Sequence, residues 1–83
     1  MAGQIIRNEK QMGAELRRAR RRAGLSQSTL GERVHLRQAT VSRVEAGEPA
    51  VQLSTVMALL AALDLELVLR PRSKDLDDLE KLI

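Results

Sequence analysis

Apolar positions along the chain fall into four helical runs and then change period. Met12, Leu16, Ala19 and Ala23 recur at spacings of four, three and four, which is one face of a helix. Asn8 precedes that run as an N-cap, Gln11 can complete a capping box, and Gly24 follows as a left-handed C-cap. Ser26 caps a second helix that turns Leu30 and Val34 inward, and Gly31 between them lets a neighbouring helix backbone approach closely. A third helix starts near Arg37, buries Val41 and Val44, and ends at Ala46-Gly47. Glu48-Pro49-Ala50 is a loop, because proline disfavours helical geometry in the residue before it. Ser54 is expected to cap a fourth helix through about Leu63, with Val56, Met57, Leu59, Leu60 and Leu63 covering more than one side. Such a helix lies in a core or against a second subunit, and both are expected here.

Leu65, Leu67 and Leu69 then alternate with Glu66, Val68 and Arg70, the pattern of a half-buried strand that Pro71 stops. The strand has no evident partner within the chain apart from Gln4-Ile5-Ile6, so pairing with its copy in a second chain is expected. The alternative is that helix four simply continues. The expected dimer interface is Leu60, Leu63, Leu65, Leu67 and Leu69. The chain thus divides into an arm (1–7), a four-helix domain (8–64), a dimerisation strand (65–71) and an acidic tail (72–83). In the tail, Leu76, Leu79, Leu82 and Ile83 stand at helical spacing, and the tail is either a short amphipathic helix or a segment that folds on a partner.

Composition narrows the function. The 83 residues contain no cysteine and one histidine, which excludes disulfides, thiolate zinc sites and multi-histidine metal sites. No catalytic constellation, metal or cofactor is assigned, and an enzyme is not expected. With no Phe, Trp or Tyr there is nothing on which to stack unpaired bases, which turns a nucleic-acid reading toward duplex DNA. No apolar run reaches the roughly 20 residues of a membrane span, and no secretory signal is read at the start, so a cytoplasmic protein is expected. The net charge of +3 is uneven: residues 1–47 carry ten basic against four acidic residues, and residues 64–83 carry four against six. A basic body suits an anionic polymer, and an acidic tail suits a different partner.

Residues 25–45 read as two short helices joined by a tight turn. When such a unit docks on DNA, the N-terminal side chains of its second helix enter the major groove. Here these are Arg37, Gln38, Ala39 and Ser42, assigned to base reading. Gln38 can pair with adenine N6 and N7, Arg37 with guanine O6 and N7, and Ala39 can touch a thymine methyl. Gln27, Ser28, Thr40 and Arg43 are assigned to phosphates, which set register without reading sequence. The block Arg17-Arg18-Ala19-Arg20-Arg21-Arg22 spans more than one helix side. Two of its guanidinium groups, Arg20 and Arg21, are expected to reach phosphates, with the rest solvated or paired to Glu15 or another acid. His35 is expected to be a turn residue.

Residues 12–64 resemble the Xre/Cro-type helix-turn-helix family of phage and bacterial repressors. Leu25-Ser26-Gln27-Ser28-Thr29-Leu30-Gly31 is similar to that family's first motif helix, Arg37-Gln38-Ala39-Thr40-Val41-Ser42 to its recognition helix, and Glu45-Ala46-Gly47 to its ending. A narrower resemblance, to the HipB-like antitoxins, rests on residues 38–42, Leu53-Ser54-Thr55 and Leu63-Asp64-Leu65-Glu66-Leu67. It implies a mainly α, lambda-repressor-like helix-turn-helix bundle of four to five helices with one C-terminal β-strand pairing across a homodimer. It further implies a palindromic duplex operator, repression of the protein's own operon and a HipA-like kinase toxin as partner. A stand-alone repressor, and a protein-interaction module on the same scaffold, are the alternatives. His35 stands where the wider family commonly has glycine, and residues 75–83 have no counterpart.

Overall fold

The computed structural model describes residues 3–72. Among these the backbone forms four helices: α1 Glu9–Arg22, α2 Gln27–Arg33, α3 Gln38–Glu45 and α4 Leu53–Ala62. The Asn8 side chain caps α1 by accepting the Gln11 N–H at 2.8 Å. The Gln11 amide oxygen accepts from the Arg7 N–H instead of the Asn8 N–H, so the expected capping box is displaced by one residue. Ser26 caps α2 by accepting the Thr29 N–H at 3.0 Å. The other two helices start without a side-chain cap, on the extended residues Arg37 and Gln52. Ser54 is therefore not the cap of α4 but its second residue. The Gln52 carbonyl already accepts the N–H groups of Thr55 and Val56 at 3.1 and 3.3 Å, which begins the helix before Ser54 can cap it.

All four helices end in one device, the Schellman motif, in which a residue in the left-handed region folds the chain back onto the last turn. The left-handed residues are Gly24, His35, Gly47 and Asp64, at φ 73°, 59°, 81° and 57°. In each case the following N–H donates to a carbonyl five residues back: Leu25 to Arg20 at 3.1 Å, Leu36 to Gly31 at 2.8 Å, Glu48 to Arg43 at 3.2 Å and Leu65 to Leu60 at 2.8 Å. Histidine and aspartate tolerate this region better than most side chains, yet neither is relaxed there. His35→Gly should therefore raise stability by about 0.5–1 kcal/mol, the released strain outweighing the extra chain entropy of glycine. Thermal unfolding followed by circular dichroism measures this, and an unchanged or lower Tm would contradict it.

Asp64 settles one alternative: α4 stops at Ala62 and does not run on into Leu65–Arg70. Residues 65–72 leave the bundle exposed and without regular structure, and no strand forms among the described residues. The pairing expected for this segment involves a second chain. The expected tail helix in 73–83 lies outside the described residues.

The core is Leu16, Leu30, Val41, Val44, Leu59 and Leu60, ringed by Met12, Leu25, Val34, Leu36, Val51, Val56, Ala62 and Leu63. Each fully buried side chain of this size stabilises by roughly 1.5–3 kcal/mol. α3 packs on both α1 and α2, and α4 closes the bundle against α2. Ala23, placed on the inner face of α1 by its spacing, is instead the exposed C-cap. Leu60, expected at a dimer interface, is 6% exposed and belongs to the core of its own chain. The large apolar side chains that α4 leaves open are Leu53 and Met57, at 67% and 44% exposure.

Gly13 and Gly31 sit where backbone meets backbone. A Cβ at Gly13 on α1 would lie 2.5 Å from the carbonyl oxygens of both Val44 and Glu45, so α1 rests directly on the C-terminal end of α3. A Cβ at Gly31 would lie 2.5 Å from the Leu36 carbonyl oxygen. The close approach foreseen at Gly31 therefore occurs, but the element that approaches is the turn between α2 and α3 rather than a helix.

Candidate nucleic-acid interface

α3 turns about 100° per residue, so burying Val41 and Val44 forces the opposite side outward. That outer face consists of Ala39, Ser42 and Arg43, all exposed, with Gln38 and the N-cap Arg37 at its leading end. Of the four residues assigned to base reading, all are exposed and all lie at or near the start of α3. The four assigned to phosphates separate: Ser28 and Arg43 are exposed, Gln27 and Thr40 half-buried. Thr40 sits on the flank of α3.

A buried ion pair, not recognised from the sequence, organises these residues. Arg20 on α1 donates from Nε to Glu45 Oε2 at 2.6 Å and from Nη2 to Glu45 Oε1 at 3.0 Å. Its Nη1 donates to the Leu25 carbonyl at 2.8 Å. The two side chains are 10% and 4% exposed. The hydrogen bond to Glu45 holds the Arg20 pKa above its ordinary value against the opposing effect of burial. Arg20 is thus withdrawn from the phosphate role expected of it, because it lies four residues after Leu16 on the inner face of α1. Of the other arginines in the block, Arg18 pairs with Glu15 at 2.6 Å, as expected for part of the block. Arg17, Arg21 and Arg22 remain exposed.

From Glu45 the order of donors and acceptors is forced. A carboxylate only accepts, so Gln27 presents its amide nitrogen, and Nε2 donates to Glu45 Oε1 at 3.2 Å. The Gln27 oxygen then faces outward and accepts from Gln38 Nε2 at 3.0 Å. Gln38, itself exposed, keeps its carbonyl oxygen and one N–H outside this bond. An acceptor beside a donor on one planar amide complements adenine N6–H and N7 in the major groove. Gln27 keeps one N–H as well, at the first turn of α2, where a phosphate oxygen can be met. Every buried side-chain polar atom among the described residues has a partner, so this relay leaves no unpaired group in the core.

The sequence offered one clue to the pair. Arg20 is four residues from Leu16, and Glu45 four from Val41, which places both on inner faces. The arginine run masks this, since five guanidinium groups in six residues read as surface. Elsewhere, Arg43 Nε donates to Glu48 Oε2 at 2.7 Å across the turn after α3. Among the described residues no His, Cys, Asp or Glu group is arranged to hold a metal ion, and no helix is long and apolar enough to cross a membrane.

Solved structures share this arrangement of helices. A HipB variant in an O2 20mer complex superposes with a TM-score of 0.81 at 25% identity, over 87% of this chain and 100% of that one. HipB in an O4 20mer complex gives 0.80 at 27% identity, over 86% of this chain and 100% of that one. A HipA–HipB–O2–O3 complex gives 0.80 at 27% identity, again over 86% and 100%. No curated protein sequence is similar enough to count as a relative. The helix-turn-helix domain family matches residues 11–72, which include α1 from Gln11, the Glu45 relay and α4. With the family model matching residues 11–72 and the helices superposing on HipB over 87% of the chain, the chain belongs to the helix-turn-helix domain family.

Proposed function

We propose that this protein is a sequence-specific repressor of duplex DNA of the HipB kind, acting as a homodimer on a palindromic operator. It represses its own operon and pairs with a HipA-like kinase toxin that it holds inactive. The observation that carries the DNA reading is the relay Arg20–Glu45–Gln27–Gln38, which fixes an adenine-complementary amide at the exposed start of α3. Arg37, Ala39 and Ser42 read neighbouring bases, while Gln27, Ser28, Thr40 and Arg43 set register on phosphates. The operator and toxin parts rest on the HipB–DNA and HipA–HipB–DNA complexes among the structural neighbours.

The dimer reading is supported by Leu65, Leu67, Val68 and Leu69, at 37%, 45%, 71% and 91% exposure, an apolar run that water does not favour. A second copy of the same segment gives it both a strand partner and cover, with Leu63 beneath. Two recognition helices in such a dimer enter grooves about 34–36 Å apart, or a multiple of that.

Selection from a random duplex pool tests the readout. The wild-type protein should enrich a palindrome with an adenine common to both half-sites, and binding should fall steeply as salt rises. Gln38→Ala should lose about 1–3 kcal/mol of discrimination at that adenine while non-specific affinity stays the same. Enrichment of the same palindrome by Gln38→Ala would remove Gln38 from the reading of bases.

A further inference from the structure

We propose that Glu48 sets the DNA affinity of this protein by competing with the phosphate backbone for Arg43. The inference rests on the reading that the outer face of α3 meets DNA. Arg43 lies at the trailing end of that face, and its Nε donates to Glu48 Oε2 at 2.7 Å. The turn keeps the two residues side by side. The Schellman bond from the Glu48 N–H to the Arg43 carbonyl, 3.2 Å long, already ties these two residues together. Gly47 between α3 and Glu48 is held at φ 81° and is itself pressed against Lys10 of α1, where a Cβ would come within 2.7 Å of the Lys10 Cα. Glu48 therefore cannot drift away from Arg43 without unlocking the end of the helix.

Both side chains are largely exposed, 55% for Arg43 and 47% for Glu48. An exposed pair of this kind is weak and exchanges readily with solvent and other ions. Glu48 also stands just past the negative end of the α3 dipole, so the helix does not favour a carboxylate there. The contact uses only Nε and leaves both Nη groups able to donate to a phosphate oxygen. A phosphate bound there sits close to the Glu48 carboxylate, and two anions sharing one guanidinium repel each other. Holding Arg43 in place gives a smaller benefit, since a single bond between exposed side chains restricts it little. Repulsion wins, and Glu48 lowers affinity without affecting which bases are read.

Glu48→Gln separates charge from geometry, because its amide oxygen can still accept from Arg43 Nε while the negative charge is gone. In fluorescence-anisotropy titrations on the selected duplex, Glu48→Gln should bind about threefold to tenfold more tightly than wild type at low salt. The slope of log K against log salt should steepen by about 0.9 for each half-site, as one more phosphate is fully neutralised. Non-cognate duplex should gain by the same factor, leaving the specificity ratio unchanged. In an Arg43→Gln background most of that gain should vanish. Weaker binding by Glu48→Gln would make the carboxylate a support for Arg43 and overturn the proposal, as would unchanged affinity and slope. If wild type itself bound no duplex, the DNA reading would fall and this proposal with it; unchanged behaviour of Glu48→Gln beside a binding wild type removes the proposal alone.

Discussion

Arg20→Met should cost about 3–5 kcal/mol of stability, because it leaves the Glu45 carboxylate in the core without its countercharge. That is a large part of the 5–15 kcal/mol that holds a typical domain together. In a chain of this size it lowers Tm by roughly 12–40 °C. The methionine keeps the apolar stem of the side chain in place, so the loss reports on charge and hydrogen bonds rather than on a cavity. Glu45 then retains only its 3.2 Å bond from Gln27, and the Leu25 carbonyl loses a donor. Adding Glu45→Leu should restore most of the stability, since buried ion pairs replaced by apolar pairs of similar volume are often neutral or stabilising. The double variant separates folding from reading. Without the carboxylate nothing fixes the Gln27 amide, so Gln38 no longer presents one edge, and the adenine preference should fall even though the fold is recovered. Thermal melts with duplex selection on both variants measure this. Equal stability of Arg20→Met and wild type would show the pair to be dispensable.

Gly13→Ala should destabilise by about 1–3 kcal/mol, at the upper end of that range. Helix propensity alone predicts the opposite, a gain of roughly 1 kcal/mol for replacing glycine by alanine inside α1. Steric conflict decides the sign. The new Cβ meets two carbonyl oxygens at 2.5 Å, and both belong to backbone at the end of α3, which cannot rotate aside as a side chain would. α1 must tilt away from α3, and the tilt draws Arg20 from Glu45 by the same movement. The variant should thus lose base discrimination along with stability, whereas alanine at an exposed site of α1 should do neither. Urea denaturation gives the stability, and a Gly13→Ala protein as stable as wild type would place α1 further from α3 than the structure does.

The helices were legible because their signals are local. Asn8, Ser26, Gly24 and Gly47 act through the hydrogen bonds of their own turns, and the apolar spacing in α1 to α3 needs nothing beyond the helical period. A serine ahead of an apolar run looks like a cap, which points to Ser54 as the start of α4; the Gln52 carbonyl begins the helix without a side chain. Leu60 reads as an interface residue in the sequence and lies in the core, because an apolar residue on a nearly all-apolar helix carries no mark of which side faces inward. The exposed face of α3 was legible for a different reason. Once Val41 and Val44 are buried, the opposite face of a short helix has few members.

The sequence by itself determined the four helices, the glycine ends at Gly24 and Gly47 and the residues that α3 exposes, since each depends on neighbours a few positions away. Tertiary structure alone decided what orients them. Arg20 and Glu45 are 25 residues apart, Gln27 and Gln38 are 11 apart, and no periodicity links positions on different helices. Packing of α1 on α3 through Gly13 brings a guanidinium to a carboxylate, and the carboxylate fixes the direction of two amides. A glutamine at the start of a helix is only a polar residue until its neighbour's hydrogen bond determines which atoms it offers.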